Sequence, residues 1–149
     1  MKNMLLLSLL FSLVTTSWAQ ENVNLKRGFA AEGYDVVSYF NNKALKGDKK
    51  FVAIHDGVNY KFSSQTNLDI FKDNPSQYIP QYGGFCAYAI AKNGKKVGVD
   101  PKTFTITEGK LYLFYNSFGV NTLDKWNEEG AARLKTAADA KWKTIVTAN

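Results

Sequence analysis

The alternation of apolar and polar positions divides the chain into short segments, of which only the first is almost wholly apolar. Met4 to Val14 is interrupted only by Ser8 and Ser12, follows the basic Lys2, and leads to Ser17-Trp18-Ala19. A positive start, a short apolar run and small residues at the positions read by a signal peptidase predict an export signal cleaved after Ala19. The run is shorter than the roughly 20 apolar residues that span a bilayer. The mature chain, starting at Gln20, is therefore expected to be periplasmic or secreted, with no transmembrane segment.

Residues 20–32 are polar and read as irregular. Gly33-Tyr34-Asp35-Val36-Val37-Ser38-Tyr39-Phe40 reads as either a short apolar turn of helix or an extended segment, and periodicity leaves both open. The lysine-rich stretch Asn41 to Lys50 reads as a loop. Phe51 to His55 and Val58 to Phe62 flank Asp56-Gly57, a two-residue hairpin signal because both turn positions need positive φ. Ser63 or Ser64 is the expected N-cap of a helix through Lys72, with Leu68 and Phe71 on one side and Asn74-Pro75 ending it.

After Pro80, the pair Gly83-Gly84 precedes an apolar helical segment, Phe85 to Ala91, which Asn93-Gly94 stops. A second hairpin pairs Thr103 to Thr107 with Lys110 to Tyr115 across Glu108-Gly109, with Leu111, Leu113 and Tyr115 on one face. The tail reads as two helices broken near Gly130. The second carries Leu134, Ala138, Trp142 and Ile145 at helical spacing, with Glu129–Arg133 and Asp139–Lys143 as supporting pairs and one face of the sheet to cover. Two hairpins with helices packed on them make an α+β domain, and about 130 residues after the signal suffice for only one.

Charge narrows the function classes. Removing residues 1–19 takes away Lys2 and no acid, so the net charge of +6 becomes +5. Only Arg27 and Arg133 are arginines; the lysines cluster at Lys43, Lys46, Lys49 and Lys50 and at Lys92, Lys95 and Lys96, in expected loops. Nucleic-acid sites combine arginine forks with aromatic platforms, so these lysines read as solvated surface and no nucleic-acid partner is expected. The many rings between Tyr34 and Phe85 read as core.

The candidate chemistry is a single thiol. Cys86 is the only cysteine and His55 the only histidine, which excludes an internal disulfide and every multi-histidine metal site. Cys86 follows Gly83-Gly84 in the expected first turn of a helix, where unpaired amides and the helix dipole stabilise a thiolate, the form that attacks electrophiles and binds Cu(I). The opposing reading is a small hydrophobe packed between Phe85, Tyr88 and the sheet. Both stand on sequence alone. His55, immediately before the turn, reads as the exposed end of a strand.

Several runs, taken as a set, resemble the YHS domain family. They are Tyr60-Lys61-Phe62-Ser63-Ser64, then Asn67, Phe71, Asn74-Pro75 and Tyr78, with Gly33 to Phe40, including Tyr34 and Asp35, as the opening segment. Pro80-Gln81-Tyr82-Gly83-Gly84-Phe85-Cys86-Ala87 is similar to an exported bacterial subfamily in which selenocysteine can stand at the cysteine position. Asp100-Pro101, Gly109 to Leu113 and Ala138 to Trp142 also match that subfamily. The resemblance implies a YHS-like domain over 33–149 with a C-terminal helical extension, and soft-metal handling of the copper type. Ser38, Ser63 and Asn67 stand where metal-handling members carry cysteines, and these hard donors do not replace thiolates for Cu(I).

The leading expectation is thus an exported YHS-type binding protein in which Cys86 meets a soft metal or an external thiol partner, with His55, Tyr82 or Asp35 as neighbours. One alternative is a redox enzyme cycling Cys86 through sulfenic acid with an external thiol. The other is a non-catalytic interaction module in which Cys86 is structural.

Overall fold

The computed structural model describes residues 20–148, so the expected export signal at 1–19 lies outside the described residues. In chain order the elements are β1 (Leu25–Lys26), β2 (Phe29–Ala30), β3 (Asp48–His55), β4 (Val58–Phe62), α1 (Gln65–Asp73), the one-turn α2 (Pro75–Tyr78), α3 (Ala87–Asn93), β5 (Asp100–Thr107), β6 (Lys110–Phe114), β7 (Asn116–Ser117), β8 (Val120–Asn121), α4 (Thr122–Glu128) and α5 (Ala131–Thr147). The architecture is α+β, as the alternation of strand and helix patterns predicts. Among the described residues no helix is long and apolar enough to cross a membrane.

Both hairpins form where the turn signals place them. Asp56 and Gly57 adopt φ of 48° and 75°, and Glu108 and Gly109 adopt 52° and 70°. These values give the two-residue turn a twist that matches the flanking strands. Ser64 caps α1 by accepting the Asn67 amide, and Pro75 opens α2 at a position where its missing N–H costs nothing.

The N-terminal stretch departs from expectation. Residues 20–24 carry no strand or helix, as expected, but beyond them β1 and β2 form a tight hairpin, and β2 adds to β4 in parallel, giving the sheet order β1-β2-β4-β3. Ala30 and Ala31 are buried in the first core. Strands of two residues are too short for alternation to reveal, and their stability comes from the β4 edge they cover. β3 also starts earlier than expected, at Asp48 inside the lysine-rich stretch, because a bulge between Asp48 and Val52 lets the strand continue. The small β7–β8 hairpin has no counterpart in the sequence reading.

Strand β6 divides the molecule. Leu111 and Leu113 enter a first core with Tyr34, Val36, Tyr39, Tyr60, Phe62 and Phe71. Tyr112 and Phe114 enter a second core with Ile90, Trp126, Leu134 and Ala138. Side chains alternate across a strand, so one strand buried on both faces serves as a wall between two cores.

The tail helix α5 does more than cover a sheet. It packs along α3, and Lys141 Nζ donates to the carbonyls of Ala91 (2.6 Å) and Lys92 (3.1 Å), capping the end of α3 where a cation is favourable. The expected pairs within the tail do not form. Glu129 turns its carboxylate to Lys92 and Tyr88, and Asp139 turns to Tyr82 and Lys135. Each acid gains a partner on another element, Lys92 and Tyr88 for Glu129 and Tyr82 for Asp139, while Lys135 pairs with Asp139 one turn away on α5 itself.

Candidate functional site

The Gly83-Gly84 turn and Cys86 are best understood from the backbone. Tyr82, Gly83 and Gly84 have φ of 54°, 61° and 79°, so the chain runs left-handed through the turn. A Cβ on Gly83 would overlap the carbonyl oxygen of Asn22, and the Gly83 carbonyl accepts the Asn24 amide at 2.8 Å. At Gly83 the chain therefore passes against the N-terminal segment at a distance that leaves no room for a side chain. Tyr82 holds the turn from the other side: its hydroxyl donates to Asp139 Oδ1 at 2.8 Å, and its ring lies 6.1 Å from that of Trp142. Burial, followed by the hydrogen bond to Asp139, pushes the Tyr82 phenol well above its ordinary range.

Cys86 does not sit in the first turn of a helix. It is the N-cap residue of α3, with φ −56° and ψ 113°, and its side chain makes no capping bond to that helix. The thiol points instead to the start of α4. Thr122 Oγ1 donates its only proton to the Tyr115 carbonyl at 2.7 Å, so the Cys86–Thr122 contact at 3.3 Å is donated by the thiol. The Tyr115 amide donates back to Sγ at 3.4 Å. Proton and lone pair are both engaged in a closed ring of three residues, and Cys86 is 0% exposed. The Cys86 amide donates to Val97 O at 2.9 Å and its carbonyl accepts from Ile90, so the residue ties α3, the 94–99 segment and the start of α4 together. The sequence reading missed Thr122 and Tyr115; nothing in their spacing from Cys86 marks them, because α4 reaches the thiol only through the fold.

The other candidates are not gathered around the thiol. His55 ends β3, and its ring stands edge-on to Phe71 with centroids 6.2 Å apart, while Nε2 lies 3.3 Å from Asp56 Oδ2. It belongs beside the first core and shares no partner with Cys86. Tyr60, Phe62 and Phe71 stack within that core at centroid distances of 4.9 Å, and Tyr78 meets Phe40 edge-on at 5.0 Å. These aromatic residues hold the domain together; they do not line a site with Cys86.

Asp35 is the centre of a different cluster. Its carboxylate is fully buried and accepts five hydrogen bonds. Oδ1 takes the amides of Val37 (3.0 Å) and Ser38 (3.2 Å), and Oδ2 takes Ser63 N (2.8 Å), Ser63 Oγ (2.6 Å) and Asn67 Nδ2 (2.7 Å). Ser38 Oγ meanwhile bridges the carbonyls of Asp35 and Lys43, both at 2.7 Å. Ser38, Ser63 and Asn67 thus gather around Asp35: Ser63 and Asn67 spend their side chains on the carboxylate, whereas Ser38 meets it through its backbone amide and spends its hydroxyl on carbonyls. A buried charge is tolerated when its lone pairs are filled in this way.

This donor set does not fit a soft metal. Ser38, Ser63 and Asn67 offer only hard donors that are already engaged, Cys86 is spent on Thr122 and Tyr115, and His55 lies beside Phe71. Among the described residues no group of three or more His, Cys, Asp and Glu is arranged to hold a metal ion. No family model, no curated protein and no solved structure matches the chain.

Proposed function

We propose that this chain is an exported YHS-type binding module that acts without covalent or redox chemistry, with Cys86 as a structural residue. The observation that carries the reading is the state of the thiol. Cys86 is 0% exposed, and both its donor and its acceptor capacity are used inside the fold. A nucleophile or copper ligand in that position must first break the ring with Thr122 and Tyr115. Catalytic and regulatory thiols occupy partly exposed, electropositive surroundings, whereas buried thiols are inert.

Counting reactive thiols with and without denaturant tests this directly. Cys86 is expected to resist alkylation in the native protein and to react fully once unfolded. Anaerobic Cu(I) titration of the wild type and of Cys86→Ser is expected to give the same weak binding for both. Rapid native alkylation, or stoichiometric Cu(I) binding lost in the variant, would return the function to the thiol.

A further inference from the structure

A polar pocket lies on the opposite side of β4 from the first core. Val58, Tyr60 and Phe62 of β4 are buried in that core, so Lys61 projects from the other face. There it meets the β1–β2 turn, the 31–34 segment and Lys46-Gly47 around a pocket of about 420 Å³. Lysines and an arginine from three separate stretches of sequence, Lys26, Arg27, Lys46 and Lys61, line it together with Glu32 and Tyr34.

Backbone geometry builds this pocket for Lys61. A side chain on Gly47 would overlap the Lys61 backbone, and a Cβ on Gly33 would lie 3.6 Å from Lys61 Nζ. The ammonium sits 4.0 Å from the centroid of the Phe29 ring, a cation–π contact in a partly buried position. Arg27 is delivered by the turn itself, in a left-handed conformation of φ 51° beside Gly28 at 81°.

The charges do not cancel. Glu32, whose side chain is 13% exposed, is held by Lys26 at 2.7 Å. Among the described residues no carboxylate lies within 4.0 Å of Arg27, Lys46 or Lys61. Lys26, Arg27 and Lys46 are exposed and Lys61 is half-buried, and all four line one concave surface, which focuses the field and raises the local concentration of anions. The pocket volume falls in the range of small-ligand sites, and its polar lining suits a hydrophilic ligand.

We infer that this pocket binds a small oxyanion ligand carrying two or more negative charges, phosphoryl or carboxylate. Arg27 supplies a forked donor and Lys46 and Lys61 supply point charges, while Lys26 holds Glu32 back against the wall. The inference deepens the binding-module reading by naming a ligand class at a site separate from the thiol.

Calorimetric titration at low ionic strength with inorganic pyrophosphate and with citrate is the test. Saturable one-site binding of either probe is expected, weakened at least tenfold in Lys61→Met, which keeps the stem over Phe29, and in Arg27→Gln on the exposed turn. Lys110→Gln, at the start of β6, is expected to bind as the wild type does. Saturation by pyrophosphate alone assigns a phosphoryl ligand, and by citrate alone a carboxylate; each supports the site. No saturable binding of either probe, or an equal loss in Lys110→Gln, overturns it. Thiol protection measured on the same samples separates the two readings. Absent anion binding with Cys86 still protected removes only the pocket, and a native thiol that alkylates removes only the structural role of Cys86.

Discussion

Replacing Asp35 by asparagine tests the buried cluster most sharply, because the exchange keeps the shape and removes the charge. An amide has a single acceptor oxygen, so its NH₂ must face one of the two sets of donors. Turned toward the opening segment, it confronts the amides of Val37 and Ser38. Turned the other way, it confronts Ser63 N and Asn67 Nδ2, while the Ser63 hydroxyl can rotate to accept. Either orientation leaves two donors unpaired in a site that is 0% exposed at Asp35. An orphaned buried donor costs about 1–3 kcal/mol, and the lost bonds are charge-assisted. The expected loss is therefore about 3–5 kcal/mol, a large part of the roughly 5–15 kcal/mol that holds such a domain folded. Urea unfolding followed by circular dichroism reads it, with a midpoint shift of more than about 1 M for a typical slope. Ser63→Ala is the internal comparison. It removes only the 2.6 Å hydroxyl bond and leaves Ser63 N in place, so it should cost about 1–2 kcal/mol. An Asp35→Asn protein within about 1 kcal/mol of the wild type would refute the claim that this carboxylate organises the cluster.

Two further outcomes follow from the same geometry. Gly83→Ala forces a left-handed alanine into the Asn22 carbonyl and should destabilise by about 2–4 kcal/mol, whereas Gly98→Ala, with nothing within 4 Å of the new methyl, should stay within about 0.5 kcal/mol; equal midpoints for the two in thermal unfolding would count against the tight approach. At alkaline pH the buried phenols control stability. Burial, then Asp56, pushes Tyr60 up to about 12, and burial foremost also raises Tyr39 and Tyr82. Raised folded values mean that this stability is complete below the unfolded phenol value of about 10 and is lost as pH climbs through about 12. Absorbance at the phenolate band, recorded with circular dichroism, should show these three of the eight tyrosines ionising only as the fold is lost. Titration of all eight near pH 10 with the fold intact would contradict it.

Local signals in the sequence account for the elements that local energetics decide. Asp56-Gly57 and Glu108-Gly109 specify their turns because positive φ at both positions is a property of the turn itself. Ser64, Pro75, Gly94 and Gly130 set helix limits for the same reason: a cap or a break needs only its own neighbours. These signals sufficed for the α+β class and for both main hairpins.

What depends on distant partners was settled only in three dimensions. Strands β1 and β2 exist because β4 offers an edge, and alternation along two residues carries no such information. Strand β6 looks one-faced in sequence, yet both its faces are buried, since helices α3 to α5 close over Tyr112 and Phe114. Asp35 and Ser38 stand far from Ser63 and Asn67 in the sequence, and only the fold brings the backbone and side-chain donors of Ser63 and Asn67 onto the Asp35 carboxylate. Cys86 shows the limit most plainly. The sequence singled out the chain's one thiol. Whether that thiol meets solvent was decided by Thr122 and Tyr115, which hydrogen-bond it from 36 and 29 residues away. Burial is a property of the assembled chain: it is set by which surfaces meet, and no window of local sequence contains that.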